Sequence, residues 1–297
     1  MRIVDFFSGI GGLSAALAGA TGSLPATKVV AAYDIDRLAL EIGAANFGTP
    51  IHAREIESIA RAELAVLEAD LWWLSPPCQP YTVKGKQRDL EDPRAQSLLA
   101  LLDRIADIRP AKLALENVPG FQESRARARL LETVAAAGYA WREELLCPTS
   151  LGISGRRLRY YFVATRAGEL LPRQEKSLAL RPLADFVEAA DDEAWLVPER
   201  ITARFGAAMH RVDRGDPAAI ANCFTSSYGE SPLKSGSYLR CIASDRLRYF
   251  SPREIARLLG FPASFRFPEG LSPRRLWSLV GNSISADAVG AILAPIL

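Results

Sequence analysis

Over residues 2–165 short apolar runs alternate with segments of helical period, and this alternation is the feature that most narrows the folds open to the chain. Strand-like runs fall at 2–7, 28–34, 70–74, 112–115, 141–146 and 159–165, with a further short one near 50–53. Helical stretches lie between them at 13–20, 37–47, 56–67, 94–108 and 124–137, and Asp36 and Asp92 stand where N-caps are expected. Strands that feed helices and return parallel are covered on both faces, so the pattern predicts a doubly wound, Rossmann-like α/β fold. The last two runs are joined by a loop (147–157) instead of a helix, which predicts an antiparallel strand at the sheet edge.

Beyond residue 165 the pattern breaks up. Pro172, Pro182, Pro198, Pro217 and Pro232 interrupt short mixed segments, and Ser and Gly are dense from 226 to 237. This predicts a small lobe over 166–249. Regular pattern returns with Ser251-Pro252-Arg253-Glu254, a capping box opening a helix, and a final apolar helix runs over 283–297. The expected division is a main domain of 1–165 with 250–297, and the small lobe between.

No apolar run nears the ~20 residues of a membrane-spanning helix. The chain enters a strand-like run at Arg2, so an intracellular, cytoplasmic protein is expected. Cys78, Cys147, Cys223 and Cys241 form no C-x-x-C pair, so reduced thiols and no metal site are expected. The net charge of +2 is too small to argue for a nucleic-acid partner by itself, although the arginines cluster locally.

Four places carry chemistry. The first strand ends in Asp5-Phe6-Phe7-Ser8-Gly9-Ile10-Gly11-Gly12, and a helix follows. Glycines there let the backbone approach a ligand, and Asp34, at the end of the next run, stands where a ribose-binding carboxylate belongs. Ser14 replaces the third glycine of a pyrophosphate cradle, which favours S-adenosylmethionine over a dinucleotide. The second place is Ser75-Pro76-Pro77-Cys78-Gln79-Pro80, a proline-stiffened loop after a strand, suited to holding a nucleophile. The third is Glu116, again at a strand's carboxyl end, where a carboxylic acid can share a proton with a pyrimidine ring nitrogen. The fourth is Arg157-Leu158-Arg159; read as strand, it puts both guanidinium groups on one face.

These motifs, in this order, resemble the cytosine carbon-5 methyltransferases along the whole chain. The closer likeness is to the branch that methylates a cytosine in the anticodon loop of tRNA-Asp. It is carried by Leu146-Cys147-Pro148-Thr149-Ser150-Leu151-Gly152-Ile153, by Cys223-Phe224-Thr225 with Tyr228-Gly229, and by Leu247-Arg248-Tyr249-Phe250-Ser251-Pro252-Arg253-Glu254-Ile255. The resemblance implies a catalytic set of Cys78, Glu116, Arg157 and Arg159. It implies S-adenosyl-L-methionine held by Phe7, Ser8, Gly9, Ile10, Gly11, Gly12, Leu13, Asp34, Ile35, Ile56, Ser75, Pro76, Asn282 and Ser283. Gln79, Lys84, Cys223, Phe224, Thr225 and Tyr228 become substrate contacts, and 166–249 becomes a target-recognition lobe.

The implied partner is the anticodon stem-loop of tRNA (tRNA-Asp or tRNA-Glu), bound by a monomer with no metal and no membrane. Phosphate contacts are expected from Lys84, Lys86, Arg88, Lys234, Arg240, Arg246 and Arg248, and base stacking from Tyr228 and Tyr238. Three alternatives stay open: a DNA methyltransferase of the same chemistry, a dinucleotide oxidoreductase, and a catalytically silent RNA-binding module.

Overall fold

A computed structural model describes residues 1–19, 27–82, 88–166, 170–174, 178–242, 244 and 246–297. Lys84 and Lys86 lie outside the described residues. The chain forms two compact units: Met1–Leu146, Leu158–Gln174 and Val289–Leu297 make the first, Cys147–Arg157 and Glu175–Ala288 the second. Residues 250–288, grouped with the main domain by sequence pattern, thus pack with the second unit.

The first unit is built on strands β1 (Arg2–Phe6), β2 (Lys28–Asp34), β3 (Ile51–Ala53), β4 (Leu71–Leu74), β5 (Lys112–Asn117), β6 (Ala140–Leu146) and β7 (Arg159–Thr165). They form one sheet in the order β3-β2-β1-β4-β5-β7-β6. The β1–β2, β1–β4, β2–β3 and β4–β5 pairs are parallel; β7 runs antiparallel to both β5 and β6, as the helix-free connection predicts. All of β4 (LWWL) is buried, as a strand covered on both faces must be. Phe6 stacks on Tyr33 with ring centroids 5.5 Å apart and meets Trp72 edge-on at 5.2 Å, so the centre of the core is aromatic.

Helices α1 (Gly12–Gly19), α2 (Arg37–Phe47), α3 (Arg61–Ala65), α4 (Gln96–Ile108) and α5 (Arg125–Ala136) connect these strands. Asp36 caps α2 by accepting the Ala39 N–H at 3.2 Å, and Asp92 caps the single turn before α4 by accepting the Arg94 N–H at 3.0 Å. One helix expected over 56–67 is instead a 3-10 turn, Ile56–Ser58, followed by the short α3. Arg104 of α4 accounts for the break: its guanidinium donates to the carbonyls of Glu57 and Ile59 at 2.7–3.0 Å, oxygens that a continuous helix would have used itself.

The second unit holds α6 (Glu199–Phe205), β8 (Arg211–Val212), β9 (Tyr238–Arg240), β10 (Leu247–Tyr249), α7 (Pro252–Leu258) and α8 (Pro273–Asn282); α9 (Ala286–Leu293) crosses the boundary between units. The small sheet has the order β10-β9-β8. Ser251 and Glu254 form the expected capping box on α7. The same Glu254 receives Arg248 bidentately, Nη1 at 2.9 Å and Nη2 at 2.7 Å, while Arg248 Nε reaches Asp191 at 3.0 Å. Arg248 is 1% exposed and so is no phosphate contact, contrary to expectation; its charge is consumed inside the unit.

Residues Pro273–Leu293 are long and apolar enough by composition to cross a membrane, which also departs from the expectation. The stretch is two helices, α8 and α9, and 67% of its most apolar window is buried in the protein.

Candidate active site

The sheet order reverses at β1, whose neighbours β2 and β4 lead away in opposite directions, and open α/β sheets take their ligands at the carboxyl ends beside such a point. Here β1 ends in a turn with three residues at positive φ: Phe7 (63°), Gly9 (54°) and Gly11 (86°). Side chains resist that region, and a Cβ on Gly11 would also come within 2.9 Å of the Phe47 ring.

Asp34, at the end of β2, clamps the turn. Its Oδ2 accepts the Gly9 N–H at 2.8 Å and its Oδ1 the Asp36 N–H at 2.9 Å. Burial raises the Asp34 pKa, and these N–H donors pull the other way. Beneath the turn, Ser8 Oγ donates to Asp5 Oδ2 at 2.6 Å, and the second Asp5 oxygen has no hydrogen-bond partner among the described residues. Burial, which outweighs the Ser8 bond, together with the Asp34 charge pushes the Asp5 carboxyl up to about 7.

These groups fit an S-adenosyl nucleoside. Asp34 offers a carboxylate to ribose hydroxyls. Ile35, next to it, leaves an apolar side chain 75% exposed, a surface on which a purine can lie. A Cβ on Gly9 would meet nothing within 4 Å, so the turn is open on that side. Ile10, Gly12, Leu13 and Ile56 are buried, and Ile56 packs into the core of the first unit.

The Cys78 loop leaves β4 alongside this turn. Phe6 is in register with Leu74, and Leu74 with Leu115, so Ser75 and Glu116 emerge side by side from adjacent strands. Ser75 donates its N–H to Phe6 O at 3.3 Å and its Oγ–H to Phe7 O at 3.1 Å, tying the loop to the glycine turn. Asn117 Nδ2 donates to Pro76 O at 3.1 Å while its Oδ1 accepts the Val118 N–H at 2.9 Å. Cys78 is half-buried at the head of a 3-10 turn, Gln79–Tyr81, and its carbonyl accepts the Tyr81 N–H at 3.0 Å. Pro76 is buried and Gln79 exposed.

Glu116 is 7% exposed. Arg159, at the start of β7, places Nε 3.1 Å from Glu116 Oε1 and donates from Nη1 to Leu158 O at 2.8 Å. Two residues here had no role assigned from sequence. Asn117 holds the Cys78 loop through Pro76 O, and its signal was a polar residue next to Glu116 at the carboxyl end of a strand. Arg94 bonds Asp92 through Nε and Nη2, and that bond is the main cause raising its pKa.

Arg157 does not share a strand face with Arg159: β7 begins at Arg159, and Arg157 belongs to the second unit. There it is 6% exposed and bridges distant carbonyls. Nη1 donates to Phe224 O at 3.2 Å and lies 3.6 Å from Cys223 Sγ; Nη2 donates to Gly281 O at 3.4 Å and to Ser283 O. Its guanidinium therefore binds together the Cys223-Phe224-Thr225 and Gly281-Asn282-Ser283 segments. Gly281 is required where they cross, because a Cβ would stand 2.3 Å from the Thr225 carbonyl carbon.

Cys223 and Thr225 are half-buried, Phe224 is buried, and Asn282 is exposed beside buried Ser283. Tyr228 and Tyr238, expected to stack on bases, are 0% and 1% exposed. They belong to an aromatic cluster with Phe224, Tyr249 and Trp277, and the Tyr228 hydroxyl donates to Ser237 O at 2.6 Å and accepts the Phe250 N–H at 3.0 Å. Their surface is used inside the fold. Among the described residues no group of three or more His, Cys, Asp and Glu is placed to hold a metal.

The sequence matches the family described as C-5 cytosine-specific DNA methylase over residues 1–193 and 204–297. It is 29% identical to a tRNA (cytosine(38)-C(5))-methyltransferase of Homo sapiens, over 99% of this chain and 98% of that protein. It is likewise 29% identical to a DNA (cytosine-5)-methyltransferase of Dictyostelium discoideum, over 99% of this chain and 93% of that protein. The solved structure of the Entamoeba histolytica methyltransferase EhMeth superposes with a TM-score of 0.91 at 26% identity, covering 100% of this chain and 97% of the other.

Proposed function

Because this chain belongs to the C-5 cytosine-specific methylase family, enzymes whose methyl donor is S-adenosylmethionine, we propose that it methylates carbon 5 of a cytosine in the anticodon loop of tRNA, with tRNA-Asp the first candidate and tRNA-Glu the second. The observation that carries the RNA reading is the end-to-end match to curated tRNA (cytosine(38)-C(5))-methyltransferases from several organisms, the human and Schizosaccharomyces pombe proteins among them.

Carbon 5 of cytosine is a weak nucleophile, and covalent addition activates it. The Cys78 thiolate bonds to carbon 6, and the electron pair displaced from the ring double bond moves toward nitrogen 3. Glu116, at the end of the neighbouring strand, supplies a proton there, and Arg159 keeps that carboxyl in place. S-adenosylmethionine, when bound at the β1 turn and Asp34, supplies the methyl group that carbon 5 takes up. Loss of the carbon-5 proton to solvent restores the ring double bond as the carbon–sulfur bond breaks, returning Cys78 as thiolate and the nitrogen-3 proton to Glu116. An anticodon-loop base is already partly unstacked, which lowers the cost of presenting it.

The Dictyostelium relative named as a DNA methyltransferase supports a second reading, duplex DNA as substrate. Labelled methyl transfer to total tRNA and to duplex DNA, side by side, with bisulfite mapping of the product, separates the two. Methylation of one anticodon-loop cytosine is expected. Efficient, site-specific labelling of DNA with none on tRNA would replace the RNA reading and leave the chemistry standing.

A further inference from the structure

We propose that a cavity of the second unit, formed where Arg156 faces β8 and the end of β9, is a phosphodiester cradle that grips the RNA backbone; this rests on the tRNA reading above and names where the strand is held.

The cavity encloses about 500 Å³ and is lined by Arg156, His210, Arg211 and Arg240, with Asp213 and Asp216 on the same wall. Three guanidinium groups and an imidazole thus converge on one space. The two carboxylates are turned to their own backbone: Asp213 Oδ1 accepts the Gly215 N–H at 2.8 Å and Asp216 Oδ1 the Ala218 N–H at 2.9 Å. Arg211 donates to Gly206 O through Nε at 3.2 Å and through Nη2, which fixes the direction of its fork. Guanidinium forks match phosphate oxygens in geometry as well as charge.

Ser237 Oγ accepts the Asn222 N–H at 2.7 Å and lies 2.8 Å from His210 Nδ1, which fixes the orientation of the imidazole ring. Burial, and after it the positive charge of Arg156, hold the His210 pKa below its ordinary value.

The cavity is mechanically joined to the loop that precedes and contains Cys223-Phe224-Thr225. Arg156 donates its N–H to Ala221 O at 2.8 Å and its Nη1–H to Asn222 Oδ1 at 3.4 Å, while the adjacent Arg157 clamps Phe224 and Cys223. A strand anchored by phosphate at Arg156 is therefore set in register with that loop. Among the described residues, none of the exposed large apolar side chains lines the cavity, which therefore lacks the apolar anchor of a protein-docking site. Arg240 is legible from sequence as a phosphate contact; Arg156, His210 and Arg211 acquire the role only through the fold.

The test is the double variant Arg156→Gln/Arg240→Gln in the full chain, with fluorescence anisotropy of tRNA binding across a salt series and steady-state methyl transfer. Each lost phosphate contact should flatten the slope of log K against log salt by roughly 0.7–0.9, hence by about 1.5 for the pair. KM for tRNA should rise at least tenfold, with kcat at saturating tRNA and S-adenosylmethionine affinity within twofold of wild type. Arg156→Lys, which keeps the charge, should recover most of the slope. Asp213→Asn, which leaves every arginine in place, should tighten tRNA binding severalfold. A wild type that methylates tRNA, beside a double variant with unchanged KM and salt slope, overturns the cradle alone. A wild type that neither binds nor methylates any RNA overturns the tRNA reading, and the cradle with it. Unchanged binding by Asp213→Asn would likewise count against the cradle.

Discussion

Arg159 Nε stands 3.1 Å from Glu116 Oε1, and the two side chains are only 15% and 9% exposed. In so shielded a place the arginine fixes where the carboxyl points. Glu116→Gln keeps the shape and removes the acid; kcat should fall by about 10²–10⁴-fold with tRNA affinity within threefold. Single-turnover rates at saturating tRNA report this, and a rate within threefold of wild type would remove Glu116 from the proton path.

Cys78 is held by Ser75, Asn117 and the Tyr81 amide, a frame suited to a nucleophile. RNA carrying 5-fluorocytosine at the target should trap the protein as an adduct stable to denaturing electrophoresis, because fluorine does not leave as the proton does. Cys78→Ala should form none. Trapping of that variant would point to another thiol, with Cys223 tested next.

Asp34 holds the Gly9 amide, so its loss removes a turn clamp along with the carboxylate proposed to meet the ribose. Calorimetry with S-adenosylmethionine should show Asp34→Ala binding at least tenfold more weakly. Asp34→Asn retains an acceptor for Gly9 and should fall between. Wild-type affinity in folded Asp34→Ala would exclude Asp34 from the cofactor site.

Arg157 ties Phe224, Gly281 and Ser283 through backbone carbonyls, so its contribution is to structure. Hydrogen bonds from a charged donor contribute about 1.5–3 kcal/mol, and Arg157→Lys cannot span all three acceptors. Its Tm should drop by roughly 5 °C or more, with KM for tRNA raised and S-adenosylmethionine affinity unchanged. An unaltered melt, with kcat alone reduced, would show direct action on the substrate instead.

Asp5 supplies the pH dependence. Its carboxyl is pushed up to about 7 from 3.8, chiefly by burial. Below pH 3.8 the group is protonated in folded and unfolded chains alike, and the fold bears no penalty. As pH rises from there to about 7 the unfolded chain ionises first, so stability falls, by at most about 4 kcal/mol. Asp5→Asn should be insensitive to this term. The melting temperature of Asp5→Asn minus that of wild type should therefore grow from pH 4 to pH 7 and level off above. A difference flat across that range would place the Asp5 pKa near its ordinary value.

The sequence by itself determined whatever depends on near neighbours. The strand and helix periods, the Asp36 and Ser251 caps and the antiparallel edge strand were legible because side-chain period and local hydrogen bonding decide them within a few residues. The placing of Cys78 and Glu116 at strand ends followed from the same pattern. Only the tertiary structure decided what each long side chain meets. Arg157 finds Phe224 and Ser283, 67 and 126 residues away; Arg248 is consumed by Asp191, 57 residues back; Tyr228 and Tyr238 turn inward onto Trp277 and Tyr249. An arginine or a tyrosine suits a phosphate or a base as well as it suits a carbonyl or another ring. Chain pattern cannot choose between them, because the competing partners are brought together only when the fold closes.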